Sequence, residues 1–281
     1  MTDDKSKGKF STGPPYLGYL YQGVYALYLI LRAENYDTKI IIEGLDDIVL
    51  SDNELTQIKY HIDEESLSDG SEDLWKTIRV WSEHLINGHI SLDDDLILTL
   101  ITRAKAKPEK GHIAALLRDD AKRDPFEACQ RLHEYAMSRD GKLFDEFKKL
   151  TKTQRLELVK RIWIIDDSPD ISDIQNKIKN IFFQTIDINH RDDVFEQLMG
   201  WWKRKIIEHL QDKSPTSISK VEVNQKLLKI ADEYKSDNLP SRYKDEKYPI
   251  DLEQDNRRFV THLKKITDLK KDRRVLGRVV K

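Results

Sequence analysis

The feature that most constrains this chain is a short β-branched block, Lys39-Ile-Ile-Ile-Glu43, closed by Gly44. Three consecutive isoleucines lose side-chain freedom in a helix and suit a pleated, half-buried surface. Ile48-Val49-Leu50 follows, then the turn formers Ser51-Asp52-Asn53-Glu54, then Leu55 to Ile62. The pattern predicts a β-hairpin. In its second strand Gln57, Lys59 and His61 share one face, and Ile58, Tyr60 and Ile62 the other.

Around this block the periodicity is helical. Tyr16, Leu20, Val24, Leu27 and Leu31 recur at helical spacing beside a second row, Leu17, Tyr21, Tyr25 and Tyr28. They predict a helix over 16–33, apolar on most of its circumference and therefore buried. Residues 1–15 read as a flexible leader closing on Gly13-Pro14-Pro15. Leu74, Ile78, Trp81 and Leu85 predict a helix from Asp73, and Leu96 to Ile101 a buried strand. Helices follow at about 109–119, 125–138, 142–150, 153–163, 169–183, 191–211, 219–235 and 253–271. Ser168 before Pro169 is a predicted helix start, as is Thr216 or Ser217. The segment 236–252 is rich in turn formers and reads as a loop. The expected fold class is α+β, with an α/β module over residues 1–120 and an all-helical module over 121–281.

Charged residues make up 35% of the chain, yet 5 Trp, 11 Tyr and 8 Phe supply aromatic surface that a disordered chain lacks. The one cysteine, Cys129, excludes an intrachain disulfide and a cysteine-rich zinc site. Tyr16 to Leu31, the most apolar stretch, is too short and too polar to span a bilayer. Residues 1–11 have no apolar core of a secretory signal. A cytoplasmic protein is expected. The net charge of -2 hides an asymmetry. Residues 1–100 hold 8 Lys/Arg against 19 Asp/Glu, and residues 256–281 hold 10 against 2. The basic tail reads either as a solvated helix face or as a phosphate- or partner-binding segment.

The chemistry-bearing stretch is Glu43-Gly44-Leu45-Asp46-Asp47-Ile48, followed ten residues later by Gln57-Ile58-Lys59. Hydrolysis of a phosphodiester by water calls for a divalent ion that polarises the phosphate and acidifies the water. Mg²⁺ takes hard oxygen ligands, often only one or two from the protein. An acid on one strand with an amide and a lysine on the next supply such a set, with Lys59 placed to steady the water or the phosphate charge. Two aspartates compete for the metal position. An even hairpin loop places Asp46 opposite Lys59, and an odd loop or a bulge brings Asp47 to that face. Taken alone, Gln57 and Lys59 read as charges on an ordinary solvent-facing hairpin. His61 reads as a satisfied structural histidine or a phosphate contact. Arg103, Lys105, Lys107 and Lys110 read as a solvated loop or as a track for a DNA backbone.

The pattern resembles the PD-(D/E)XK restriction-endonuclease-like fold in its Gln-x-Lys variant. With Gly18-Tyr-Leu-Tyr-Gln22 and Tyr25-Ala-Leu27 in front, Glu43 and Asp46-Asp47-Ile48 next, and Gln57-x-Lys59-x-His61 last, it is similar to the nuclease domain of CD-NTase-associated effector nucleases. The resemblance covers roughly residues 13–90. It implies Asp47 and Glu43 as metal ligands, Gln57 on the metal or its water, Lys59 on the nucleophile or phosphate, and Gln22 in support. Mg²⁺ or Mn²⁺ is the implied cofactor. It favours Asp47 over Asp46, because the family's aspartate immediately precedes an apolar strand.

The helical half carries Gly200-Trp201-Trp202-x-Arg204, Ile207-x-x-Leu210, Leu227-x-x-Ile230 and Asp237-x-Leu239-Pro240. It is similar to the C-terminal domain of ABC-three-component system proteins, the Lamassu-type defence systems of prokaryotes. The middle fits too, with Leu98 to Ala104, His112 to Arg118 and Ile162 to Ile174. The resemblance implies an effector nuclease subunit acting on double-stranded DNA. The implied partners are an SMC-like ATPase and a third small subunit, with a homo-oligomer as the active form. Members commonly run past the equivalent of Val280, so the chain reads as truncated or as a short member. A non-catalytic adaptor that keeps the nuclease fold for docking or DNA sensing is the rival expectation. The bland reading of Phe195, Leu198, Trp202, Ile206 and Leu210, with Trp201 beside them, is a helix stripe packed in a core.

Overall fold

A computed structural model describes residues 13–51, 53–61, 66–92, 95–212 and 217–234. Residues 1–12 of the expected leader, the loop at 236–252, the helix at 253–271 and the basic tail lie outside the described residues. The chain divides into two compact units, Met1–Leu227 and Leu228–Lys281. The fold below is that of the first.

Six strands form one mixed sheet: β1 Lys39–Ile42, β2 Ile48–Leu50, β3 Glu54–Lys59, β4 Ile97–Thr102, β5 Ile162–Ile165 and β6 Ile218–Ser219, in the order β5-β4-β3-β2-β1-β6. The expected hairpin is present as β2 and β3, preceded by β1 as a third antiparallel strand. β3, β4 and β5 run parallel. Parallel neighbours need a crossover, and helix α2, Glu72–Ile86, supplies it between β3 and β4. β3 lies between an antiparallel and a parallel neighbour, and Leu55, Thr56, Gln57 and Ile58 are all buried. The alternation along β3 was legible, but neither of its faces is open to solvent at Gln57.

One face of the sheet carries the main core. Leu55, Leu98, Leu100, Ile162 and Ile164 pack there with Trp75, Ile78 and Trp81 of α2. Three further helices close that core: α3 Pro125–Met137, α4 Lys142–Lys149 and α5 Lys152–Arg161. Trp75 sits edge-on to Phe144 and Phe147 of α4, which orients the aromatic cluster.

Helix α1, Gly13–Arg32, lies against β1 and β2 and against α6 Ile171–Phe182 and α7 Arg191–Gln211. From Tyr21 onward it is buried at Tyr21, Val24, Tyr25, Leu27, Ile30 and Leu31, whereas Tyr16, Tyr19 and Leu20 are exposed. Two buried polar groups fix it in place. The Tyr21 hydroxyl lies 2.9 Å from Ser168 Oγ and donates to the Pro169 carbonyl at 2.9 Å. The Trp202 indole N–H donates to the Gly23 carbonyl at 2.7 Å. Ser168 therefore does not cap α6. Asp170 does, accepting from the Asp173 amide at 2.9 Å. Similarly, Ser219 rather than Ser217 accepts from the Glu222 amide at the start of α8, Lys220–Asp232, and Thr216 lies outside the described residues.

The expected all-helical second half departs from its reading at two places. The helix expected over 153–163 ends at Arg161, and Ile162-Trp-Ile-Ile165 becomes β5, paired with β4 from Leu98↔Ile162 to Ile101↔Ile165. Arg123 holds that junction, donating to the Lys160 and Ile162 carbonyls while its guanidinium stacks 3.6 Å over Trp163. β6 adds a short edge to β1. Both strands come from beyond residue 120, since β-branched segments form strands wherever a sheet edge is offered. In α7, Phe195, Leu198 and Trp202 are buried as a core stripe, but Leu210 is 52% exposed. His209 is the buried residue at that end, and its Nε2 lies 3.0 Å from the Ile42 carbonyl. Among the described residues no helix is long and apolar enough to cross a membrane.

Trp202 is fully buried and carries the one indole bond between α7 and α1, so Trp202→Ala is expected to cost about 3–5 kcal/mol. Trp202→Phe, which keeps most of the volume and removes only the indole donor to a carbonyl already inside helix α1, should cost about 1 kcal/mol. Urea unfolding of the three proteins checks this; equal midpoints for wild type and Trp202→Ala would show that α7 does not hold α1.

Candidate active site

The site is built at one end of the β2–β3 pair. Leu50 pairs with Glu54, Val49 with Leu55 and Ile48 with Thr56, which leaves the three-residue turn 51–53. Asn53 takes a positive φ of 63°, the left-handed geometry that Asn tolerates. The loop is odd, so one further step in the same register sets Asp47 opposite Gln57. The two aspartates then part company.

The Asp47 carboxylate turns toward β3. Its Oδ2 accepts from the Ile58 amide at 2.8 Å and lies 4.0 Å from Lys59 Nζ. The Gln22 side chain of α1 lies close enough to favour its charged form. Lys59 Nζ donates to Gln57 Oε1 at 2.7 Å. Four of the five residues expected in the site thus lie together, with Lys59 bonded to Gln57 and 4.0 Å from Asp47, and Gln22 acting on Asp47. Glu43, the fifth, ends β1 in a left-handed conformation with φ 53°, and its amide donates to the Asp47 carbonyl at 2.9 Å. It is exposed, and it lies near enough to feel the charges of Asp47 and Lys59.

Asp46 takes the opposite course. It is 5% exposed, and its Oδ2 accepts the Trp81 indole N–H at 2.6 Å. It is bonded to the α2 core, and Lys59 acts on it only through its charge. Burial pushes its carboxyl up to about 7, against the indole bond and with added repulsion from Asp47. The Asp47 carboxyl is also raised by burial, opposed by Lys59, the Ile58 amide and Gln22. The Glu43 carboxyl, on an exposed residue but partly desolvated by its neighbours, is raised first by that desolvation and second by Asp47.

This electrostatic balance is the test of fit for a divalent cation. Asp47 and Glu43 crowd one another, and Lys59 is the cation both of them feel. Asp47, Glu43 and the Gln57 amide offer only oxygen donors, the set a hard ion such as Mg²⁺ or Mn²⁺ takes. Among the described residues no three His, Cys, Asp or Glu side chains converge on one point, so such an ion would keep several water ligands. The donors present fit that demand.

The weaker expectations are placed differently. His61 Nε2 lies 2.5 Å from Asp73 Oδ2 of α2, and its carbonyl accepts from Arg103 at 2.9 Å. It is the satisfied histidine of the two readings. Arg103 also packs 5.3 Å over the Tyr60 ring, which contacts Tyr21 of α1. Lys105 pairs with Asp167. Lys107 contributes its backbone amide to His112 Nδ1 at 3.0 Å. The series at 103, 105 and 107 is therefore interleaved with acids and carbonyls and is not a bare basic track. Asp73, Trp81 and the Ile58 amide escaped the sequence reading. Each acts on a residue 11 to 35 positions away, and residue type alone carries no signal of that.

A scan against protein-family models finds no match, and a search of curated proteins finds none. Among solved structures, the Cap4 SAVED/CARF-domain containing receptor of Acinetobacter baumannii aligns with 77% of this chain at 13% identity and a TM-score of 0.46. The same receptor with the cyclic trinucleotide 3'3'3'-cAAA gives the same values. The corresponding receptor of Moraxella osloensis aligns with 77% at 12% identity and a TM-score of 0.43. The chain spans 46–48% of the length of these receptors. At such identity and TM-score the likeness transfers no ligand and no activity to this chain.

The fate of Asp46 generates a pH prediction. Its folded carboxyl titrates at about 7 against 3.8 for the free side chain, so the folded protein holds a proton that the unfolded chain releases. That contribution is complete below pH ~4 and is lost as pH rises through ~7. Asp46→Asn keeps an acceptor for Trp81 and has nothing to ionise. In chelator, wild type should lose stability relative to the variant by on the order of a few kcal/mol between pH 4 and 8. Urea unfolding at both pH values measures the difference, and parallel pH profiles would contradict it.

Proposed function

We propose that the chain is a metal-dependent DNA endonuclease, the effector subunit of a prokaryotic anti-phage or anti-plasmid complex with an SMC-like ATPase. The observation that carries the nuclease reading is the meeting of Asp47, Gln57, Lys59 and Gln22 in one half-buried cluster across an odd hairpin. The defence setting rests on the sequence resemblance of the two halves of the chain.

In this reading Asp47 and Glu43 would hold a divalent ion, with Gln57 on the ion or its water. When bound, such an ion would supply the positive charge that lowers the pKa of the attacking water and offsets negative charge on the phosphate. The chain's own groups do the positioning. The Ile58 amide and Gln22 fix the Asp47 carboxylate in one orientation. Lys59, on the Gln57 amide oxygen and 4.0 Å from Asp47, would release Gln57 to reach the water or a phosphate oxygen. Burial around Asp47 strengthens each of these interactions relative to open solvent.

A specific observation favours the adaptor as second reading. His61 is tied to Asp73 and Lys105 to Asp167, so two of the groups expected on a DNA backbone are already matched to acids. Plasmid nicking with Mg²⁺ or Mn²⁺ separates the readings. Wild type should nick supercoiled DNA in a concentration-dependent way, and Lys59→Ala and Asp47→Asn should each reduce the rate by about 10² or more with folding unchanged. Absence of nicking by wild type across the series, alone and with the ATPase complex, together with salt-dependent DNA binding, would establish the adaptor instead.

A further inference from the structure

Helix α2 ends in a Schellman motif that does unusual chemical work. The His89 amide donates to the His84 carbonyl at 2.9 Å, and the Gly88 amide to the Leu85 carbonyl at 3.2 Å. Gly88 supplies the left-handed residue, with φ 70°. This backbone brings the side chains of residues 84 and 89 together, a contact that is commonly apolar in such motifs. Here both are imidazoles. Their Nδ1 atoms face each other at 3.4 Å, with ring centroids 5.6 Å apart and planes tilted by 53°. The rings meet nitrogen to nitrogen and do not stack.

A separation of 3.4 Å is long for an N–H···N hydrogen bond, whose N–H···O counterpart spans about 2.7–3.2 Å. It equals the edge of a tetrahedron around a metal bound at about 2.0–2.1 Å by each nitrogen. The rest of the His84 ring is suited to the same role. Its Nε2 is buried with no hydrogen-bond partner among the described residues, and the Leu45 backbone lies near enough to favour a proton on the ring. A metal-bound imidazole commonly turns its other nitrogen to a backbone carbonyl. His89 is exposed, so the pair is reached from solvent.

We propose that His84 and His89 form a binding site for a transition-metal cation of the Zn²⁺ class, held through the two Nδ1 atoms with water in the remaining positions. Imidazole nitrogens select Zn²⁺, Ni²⁺ or Cu²⁺ over Mg²⁺, so this site is chemically separate from the oxygen-lined cluster at Asp47. An ion here clamps the last turn of α2 against Leu45, whose two successors are Asp46 and Asp47.

The test is titration of the chelator-stripped full chain with ZnCl₂, followed by calorimetry and by the imidazole ¹⁵N resonances. The expected result is a zinc equivalent that weakens at least tenfold in His89→Ala, persists in Asp47→Asn, and moves the Nδ1 signals of both His84 and His89. MgCl₂ should leave those signals in place. His89 is on the surface, so its replacement leaves the fold intact. Unchanged zinc affinity in His89→Ala, or unmoved His84 and His89 signals at saturating ZnCl₂, would overturn the proposal.

Discussion

Everything at the candidate site depends on the pairing of β2 with β3 across a turn of three residues. A strand presents alternate side chains to opposite faces, so a slip of one residue would exchange Asp47 for Asp46 beside Gln57 and Lys59. The register is held from both sides. Ile48 and Leu50 are buried on one face of β2, and Val49 packs toward the α2 core on the other. β3 is further pinned by six paired positions with β4, from Glu54↔Ile97 to Lys59↔Thr102. A slip would unseat both cores at once, which is why an exposed turn can set the position of a buried carboxylate.

The same hairpin gives two adjacent aspartates unlike fates. Asp47 receives the Ile58 amide N–H and has Lys59 and Gln22 nearby, which oppose the upward pull of its burial without cancelling it. Asp46 receives the Trp81 indole N–H and a longer bond from the Asp47 amide at 3.3 Å, with no cation bonded to it, and its carboxyl is pushed up to about 7. Burial alone therefore does not mark a catalytic acid; the number and charge of the donors around it do. The Asp46–Trp81 bond has a structural role, since it ties the loop after β1 to the middle of α2.

The far half of the chain matters to the site through α1. Gln22 reaches Asp47 only because α1 is fixed, and α1 is fixed by Ser168 and Pro169 before α6 and by Trp202 of α7. β5 and β6 add the outer strands of the sheet from the same half. The first 120 residues thus carry the chemistry-bearing side chains, and the next hundred hold them in place.

Much of this was legible in order and spacing. The isoleucine block, the apolar run at 96–101 and the periodic rows of α1, α2, α3 and α7 set the elements, because periodicity and β-branching act locally. The residue types of the cluster, Gln22, Glu43, Asp46, Asp47, Gln57 and Lys59, could also be picked from the chain. What the chain alone left open was decided by contacts between distant segments. Whether Asp46 or Asp47 faced Gln57 hung on one residue of turn length. Whether Ile162 to Ile165 continued a helix or joined a sheet hung on an edge offered by β4. Whether Ser168 capped a helix or met Tyr21 hung on where α1 packed. Local sequence determines which conformations are cheap, and tertiary pairing chooses among those of nearly equal cost.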